Sequence, residues 1–172
     1  MKPALVIGHT PDSPGAVNVA CGKTEFDFNN VVAKLVAGRV GIEIVYRDRP
    51  NQYGALPAKI NALSPPFIIS LHANAFNRQA SGTEVLYWHQ SPRGRDLAEI
   101  LQANLFRALG LPDRGAKPIR GDDRGGYLLK NTKAPCVIAE PFFIDNDSDL
   151  KKAEVNLQEL VDAYAKTIEV FR

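Results

Sequence analysis

His9 follows an apolar run at 4–8 (ALVIG), His72 follows another at 67–71 (FIISL), and Glu140 closes a third, CVIAE. An imidazole at the end of a buried strand needs a hydrogen-bond partner, a proton-transfer task or a metal. Glu140 stands among apolar residues and prolines in APCVIAEPFF, where an ionised carboxylate needs a reason. Glu25 opens an amphipathic segment that leaves the first run. Two neutral imidazoles and one carboxylate form a recurrent catalytic zinc set with its fourth position left for water. A second, non-ligating carboxylate then serves as base and acid. The sequence offers His9, Glu25 and His72 for one Zn2+ ion, with Glu140 to move the proton.

These residues need a frame that gathers them. Apolar runs fit strands at 4–8, 41–46, 67–71, 83–88 and 136–140, and most are continuous, as in strands covered on both faces. Helical periodicity separates them. Phe28, Val31, Val32, Leu35 and Val36 make one stripe, closed by Gly38. Ser91 and Pro92 open a helix over 91–110 that Gly110 ends, with Leu97, Ile100, Leu101, Leu105 and Leu109 facing inward. A shorter helix is expected over 55–63, and a last one carries Leu150, Ala153, Leu157, Leu160, Tyr164, Ile168 and Phe171 after cap candidates Asp147 and Ser148. Strands alternating with helices predict one α/β domain over 1–172, a twisted and mostly parallel sheet with helices on both faces. Ligands of such sheets bind at the carboxyl ends of the strands. His9, His72 and Glu140 therefore share one rim, and Glu25 starts the helix that leaves it. The stretch 111–133, rich in glycine and in both signs of charge, is read as a long loop.

Composition narrows the choices further. With 172 residues, 45% hydrophobic and 23% charged, the chain is ordinary for a globular domain. A net charge of +2 is too weak to argue for nucleic acid. No run of about 18 apolar residues exists to span a membrane. Cys21 and Cys136 are far apart and suggest neither a disulfide framework nor a zinc site. The chain lacks GxSxG, GxxxxGK[ST] and a strand-linked GxGxxG, and the carboxylates of GDDRGG are misplaced for an EF-hand. A thiol mechanism would need a histidine beside the strand-borne Cys136. His89, just before the Ser91 cap, is read as a surface or supporting residue.

Four segments in order, VIGHTPDSPGA at 6–16, TEFDFNNVVAKLV at 24–36, ISLHANAF at 69–76 and APCVIAEPFFIDNDSD at 134–149, resemble the zinc-dependent N-acetylmuramoyl-L-alanine amidases of type 3. The likeness covers nearly the whole chain. It implies metal ligands at His9, Glu25 and His72, a catalytic carboxylate at Glu140, and peptidoglycan as substrate. Hydrolysis of the amide between N-acetylmuramic acid and L-alanine is then expected. Asn74 and Arg114 are the candidate substrate contacts, with Lys117, Arg120 and Arg124 nearby in the 111–133 stretch. Prolines 11 and 14 replace the family's usual glycine-rich turn after the first histidine, and Pro141 removes a backbone donor beside Glu140. A zinc carboxypeptidase and a non-catalytic peptidoglycan-binding module are the rival readings. The opening MKPALVIGHTPDSPG is too short in its apolar run for a signal peptide, and no wall-binding repeat follows residue 172. The expectation is a phage-type endolysin catalytic domain: a monomer made in the cytoplasm, acting on the wall after release by a holin-type partner.

Overall fold

The computed structural model describes residues 1–48 and 50–172, with the backbone alone for 50–52. Its elements run β1 (Ala4–Ile7), α1 (Glu25–Ala37), β2 (Glu43–Val45), a 3₁₀ turn (Pro50–Ala55), α2 (Leu56–Ala62), β3 (Ile68–Leu71) and β4 (Thr83–Trp88). They continue with α3 (Pro92–Leu109), β5 (Asp113–Ile119), α4 (Gly126–Asn131), β6 (Cys136–Glu140), α5 (Asp147–Val155) and α6 (Leu157–Phe171). The strands form one six-stranded sheet in the order β2-β1-β3-β6-β4-β5. Every neighbouring pair is parallel except β4 with β6.

Strand parity divides the sheet into two unequal faces. Leu5, Ile7, Ile69, Leu71, Val137 and Ala139 face the larger core, which α1, α3, α5 and α6 cover. Ala4, Val6, Ile68, Cys136 and Ile138 face a smaller one, closed by Leu56 and Ile60 of α2 and Leu128 and Leu129 of α4. All residues of β1, β3 and β6 are buried, so their uninterrupted apolar runs match a sheet sandwiched between layers. Thr24 caps α1 by accepting from the Asp27 N–H, Ser91 caps α3 through the Gly94 N–H, and Gly110 ends α3 in the left-handed region at φ 57°.

Two sequence expectations fail here. The 111–133 stretch is not a loop, because it holds strand β5 and helix α4. DRGAKPI lacks an apolar pattern and contains Pro118, yet an edge strand needs only one side's hydrogen bonds and tolerates both. The final helix is also two: α5 ends at Asn156, which starts α6, and Asn146, not Asp147 or Ser148, caps α5 through the Ser148 and Asp149 N–H groups.

Candidate metal centre

The sheet's parity brings the ionisable residues together. On β3 and β6, Ile68 and Ser70, and Cys136 and Ile138, point to the smaller face, and one step further along come His72 and Glu140. Leu71 pairs with Ala139, and the His72 N–H donates to the Ala139 carbonyl at 3.0 Å. His72 and Glu140 therefore emerge side by side at the carboxyl ends of the two strands. Glu84 pairs with Glu140 across the antiparallel β4–β6 ladder. His9 is delivered differently. It lies two residues past β1 with φ 69°, a conformation that only Gly adopts freely, and this turns the chain so that the ring faces His72. The two rings meet edge-on with centroids 5.4 Å apart.

Glu25, the first residue of α1, is fully buried between them. Its Oε1 lies 2.9 Å from His72 Nδ1 and accepts from the Ala73 N–H at 3.1 Å; its Oε2 lies 3.1 Å from His9 Nε2 and accepts from the Ala16 N–H at 3.2 Å. One donor atom from each of His9, Glu25 and His72 lies within 4.8 Å of the others. The contact from His9 Nε2 is close but misaligned, so this buried nitrogen makes no hydrogen bond. A buried, unpartnered imidazole nitrogen facing a carboxylate and a second imidazole is a donor set that fits a divalent cation.

Two glycines keep the space clear. A Cβ on Gly8 would lie 2.5 Å from His72 Cε1, and one on Gly15, already at φ 81°, would lie 2.5 Å from Glu25 Oε2. Gly8→Ala should therefore displace His72, weakening metal affinity about 10–100-fold, the size seen when a ligand loses its orientation. Crowding should also lower stability by about 1–3 kcal/mol. Metal titration and thermal melts test this against Gly121→Ala, whose Cβ would meet nothing within 4 Å.

The three carboxylates sit in different electrostatic environments. Burial pushes Glu25 upward, but the hydrogen bond and charge of His72 and the close approach of the His9 ring outweigh it and hold the acid well below the ordinary range. Glu84 is likewise raised by burial and lowered overall by Lys117 and Arg114. Glu140 has no such partner. Burial raises its pKa well above the usual value, the charges of Glu25 and Glu84 raise it further, and Arg124 opposes them. Its Oε2 makes no hydrogen bond. Environments that separate neighbouring carboxylates in this way suit acid–base chemistry.

A cavity of about 260 Å³ opens at His9, His72 and Glu140, with Val6, Leu86 and Ile138 among its walls. Asn74 and Arg114 lie beside it, on a groove of about 490 Å³ that also includes Phe76 and Phe143. Both engage Glu84: Asn74 Nδ2 donates to Oε1 at 2.8 Å and Arg114 Nε to Oε2 at 2.7 Å. Lys117 Nζ reaches the same Oε2 at 2.5 Å. A register shift between Thr83 and Glu84 makes Arg114 the extra residue of a bulge on β5, which turns it toward Glu84. Arg120 is engaged through its backbone N–H, which donates to Asp123 at 2.7 Å.

Sequence reasoning missed Glu84, and it named Arg124 only as a neighbour of Arg114. The signal for Glu84 was the one used for Glu140, an acid inside an apolar strand (TEVLYW). Of the remaining candidates, His89 meets Trp88 edge-on with ring centroids 4.6 Å apart, past the end of β4 opposite to Glu84. Cys136 is fully buried, and desolvation pushes its thiol up to about 12 despite a hydrogen bond with Thr132, which leaves it no nucleophile at neutral pH.

A sheet rim with two imidazoles, a buried carboxylate between them and an unpartnered acid beside them defines the class: an α/β hydrolase site whose donor set fits a divalent cation. The family model described as N-acetylmuramoyl-L-alanine amidase matches residues 4–170, and the chain belongs to that family of peptidoglycan hydrolases. It is 29% identical over 174 residues to the uncharacterized protein YqiI of Bacillus subtilis, covering 95% of this chain and 81% of YqiI. To the N-acetylmuramoyl-L-alanine amidase LytC of the same organism it is 30% identical over 155 residues, covering 84% of this chain but 30% of LytC. The catalytic domain of the CD27L endolysin targeting Clostridia difficile superposes with a TM-score of 0.79 at 26% identity, covering 99% of this chain and 96% of that domain. No helix among the described residues is long and apolar enough to cross a membrane.

Proposed function

We propose that this chain is a zinc-dependent amidase that hydrolyses the bond between the lactyl group of N-acetylmuramic acid and the L-alanine of the stem peptide. The observation that carries the metal assignment is the His9–Glu25–His72 cluster with its unpartnered Nε2. His9 and His72 would hold the ion as neutral donors, and Glu25 would offer an oxygen while its backbone donors fix the carboxylate's orientation. Bound there, zinc supplies an acidified water, a Lewis acid for the scissile carbonyl, and a positive charge that draws Glu140 back from protonation. Glu140 Oε2 takes the proton of the attacking water and returns it to the departing amine nitrogen of alanine. Pro141 has no N–H, so no oxyanion contact comes from the backbone beside Glu140.

Chelation should abolish digestion of purified walls, and readdition of one equivalent of Zn2+ should restore it, with N-terminal alanine appearing and the glycan strands left intact. Release of a terminal amino acid instead would indicate a carboxypeptidase. Wall binding without any new amine would indicate a non-catalytic module.

The likeness to an endolysin catalytic domain supports a lytic role of the same kind, in which a holin-type partner gives the enzyme access to the wall. Expression inside a bacterium, with and without a membrane permeabiliser, tests this: lysis only after permeabilisation is the expected result.

A further inference from the structure

The cavity beside His9, His72 and Glu140 carries polar groups that the hydrolysis above leaves unused. Arg47, just past β2, and Arg124, just before α4, both line it. Neither forms a salt bridge with a carboxylate among the described residues. Arg47 leans over the Tyr53 ring at 5.8 Å, and its Nε is buried without a hydrogen-bond partner. Ser70 Oγ, on a residue only 1% exposed, faces the same space and also lacks a partner. Unmet buried donors of this kind are expensive unless a ligand meets them. Leu56, Leu86, Leu128 and Ile138 make the remaining walls apolar. Gly125 keeps that wall open, since a Cβ there would lie 2.5 Å from Ile138 Cδ1.

This is a small, mostly apolar pocket with two guanidinium groups and the unpartnered Ser70 hydroxyl, and it ends at Glu140. Guanidinium forks match carboxylates in shape and charge. Sugar hydroxyls carry no charge, so the matching part of the substrate is the peptide. Arg114, the residue singled out from the sequence for this task, already holds Glu84.

We propose that Arg47 and Arg124 form a carboxylate-binding subsite that receives an acidic residue of the peptide next to the scissile amide, with Ser70 donating to the same group. The enzyme is then selective for stem peptides that keep a free carboxylate close to the cleaved bond over those in which it is amidated. The inference rests on the amidase reading.

Two muramoyl peptides, identical except for a free carboxylate or a carboxamide on the second residue, test it with the zinc-loaded protein, Arg47→Gln and Arg124→Gln, melting curves confirming the fold of each. The wild type should favour the carboxylate by about tenfold or more in kcat/KM, as one added charge-assisted contact implies. Each variant should bring that ratio close to one by raising KM for the acidic substrate far more than for the amidated one. A ratio unchanged in the variants overturns the proposal, as does a wild type without preference. Equal loss of kcat on both substrates with a displaced pH profile also overturns it, because Arg124 would then act through Glu140. If the wild type cleaves neither substrate, the amidase reading has failed, and calorimetry with the two free peptides decides the subsite alone. Tighter binding of the acidic peptide that both variants lose supports it; equal binding overturns it.

Discussion

Replacing Glu140 by glutamine lowers kcat by about 10²–10⁴-fold, the range that a positioned acid–base group contributes, and leaves the metal content unchanged. The substitution keeps the side chain's size on a fully buried strand end and replaces none of the three clustered donors. The amide simply cannot take up the water's proton. In the metal-free protein the same change should stabilise the fold. Glu140 is held above its ordinary value of 4.5, so above that pH the folded state binds more protons than the unfolded one, and wild-type stability falls as pH rises toward the folded pKa. Glutamine removes this dependence. The melting temperature of the chelated variant should equal that of wild type near pH 4 and exceed it by a growing margin toward neutrality. Near-wild-type turnover in Glu140→Gln would exclude the proton-transfer role, and identical melting curves at pH 4 and 7 would exclude the buried, unpartnered state.

Much of this site was legible in the chain because strand ends are legible. Continuous apolar runs show where the buried strands stop, and a parallel sheet puts their carboxyl ends on one rim, so His72 and Glu140 follow from two runs and a topology rule. Glu25 could be placed by the helix that follows the first strand. What pattern reading cannot supply is register across non-consecutive strands. Glu84 belongs to the site because β4 runs antiparallel to β6 and sets Glu84 opposite Glu140, a pairing that depends on which strands are neighbours. Arg124 enters because α4 folds back over the smaller face. β5 was missed because an exposed edge carries no hydrophobic period, and its length of seven residues is set by pairing with β4 rather than by its own composition.

The motif FIDNDSD shows a further kind of information that spacing hides. Asp145 accepts from the Phe76 and Arg78 N–H groups, and Asp149 accepts from Ser81 Oγ and from the Gly82 and Phe143 N–H groups. These acids fasten the 74–82 connection, which follows His72, to the segment that follows Glu140. In this structure the two acids hold two strand ends in fixed relation. That tie is also why Asn74, pinned by its backbone to Phe142 and Ile144, is placed to hold Glu84.

Glu25→Gln should be as damaging to turnover as Glu140→Gln, but through loss of the metal. Each Glu25 oxygen accepts a backbone N–H and faces an imidazole. Putting an NH₂ at either position sets donor against donor, at about 1–3 kcal/mol for each group left unsatisfied, and removes the negative charge that balances a dication. Metal affinity should fall by more than the roughly 10–100-fold typical of a lost supporting partner, and activity should fall with it. The pH dependence has the opposite sign to that of Glu140. Glu25 is held below its ordinary value of 4.5, so its contribution to stability is complete above that pH and is lost as pH falls toward the folded pKa. The stability gap between wild type and Glu25→Gln, measured without metal, should therefore be constant near neutrality and narrow in acid. Together the two variants separate the roles: Glu140→Gln retains one equivalent of metal without turnover, and Glu25→Gln retains neither. A Glu25→Gln protein that still binds one tight equivalent would place the metal elsewhere and remove the basis for reading His9, Glu25 and His72 as its ligands.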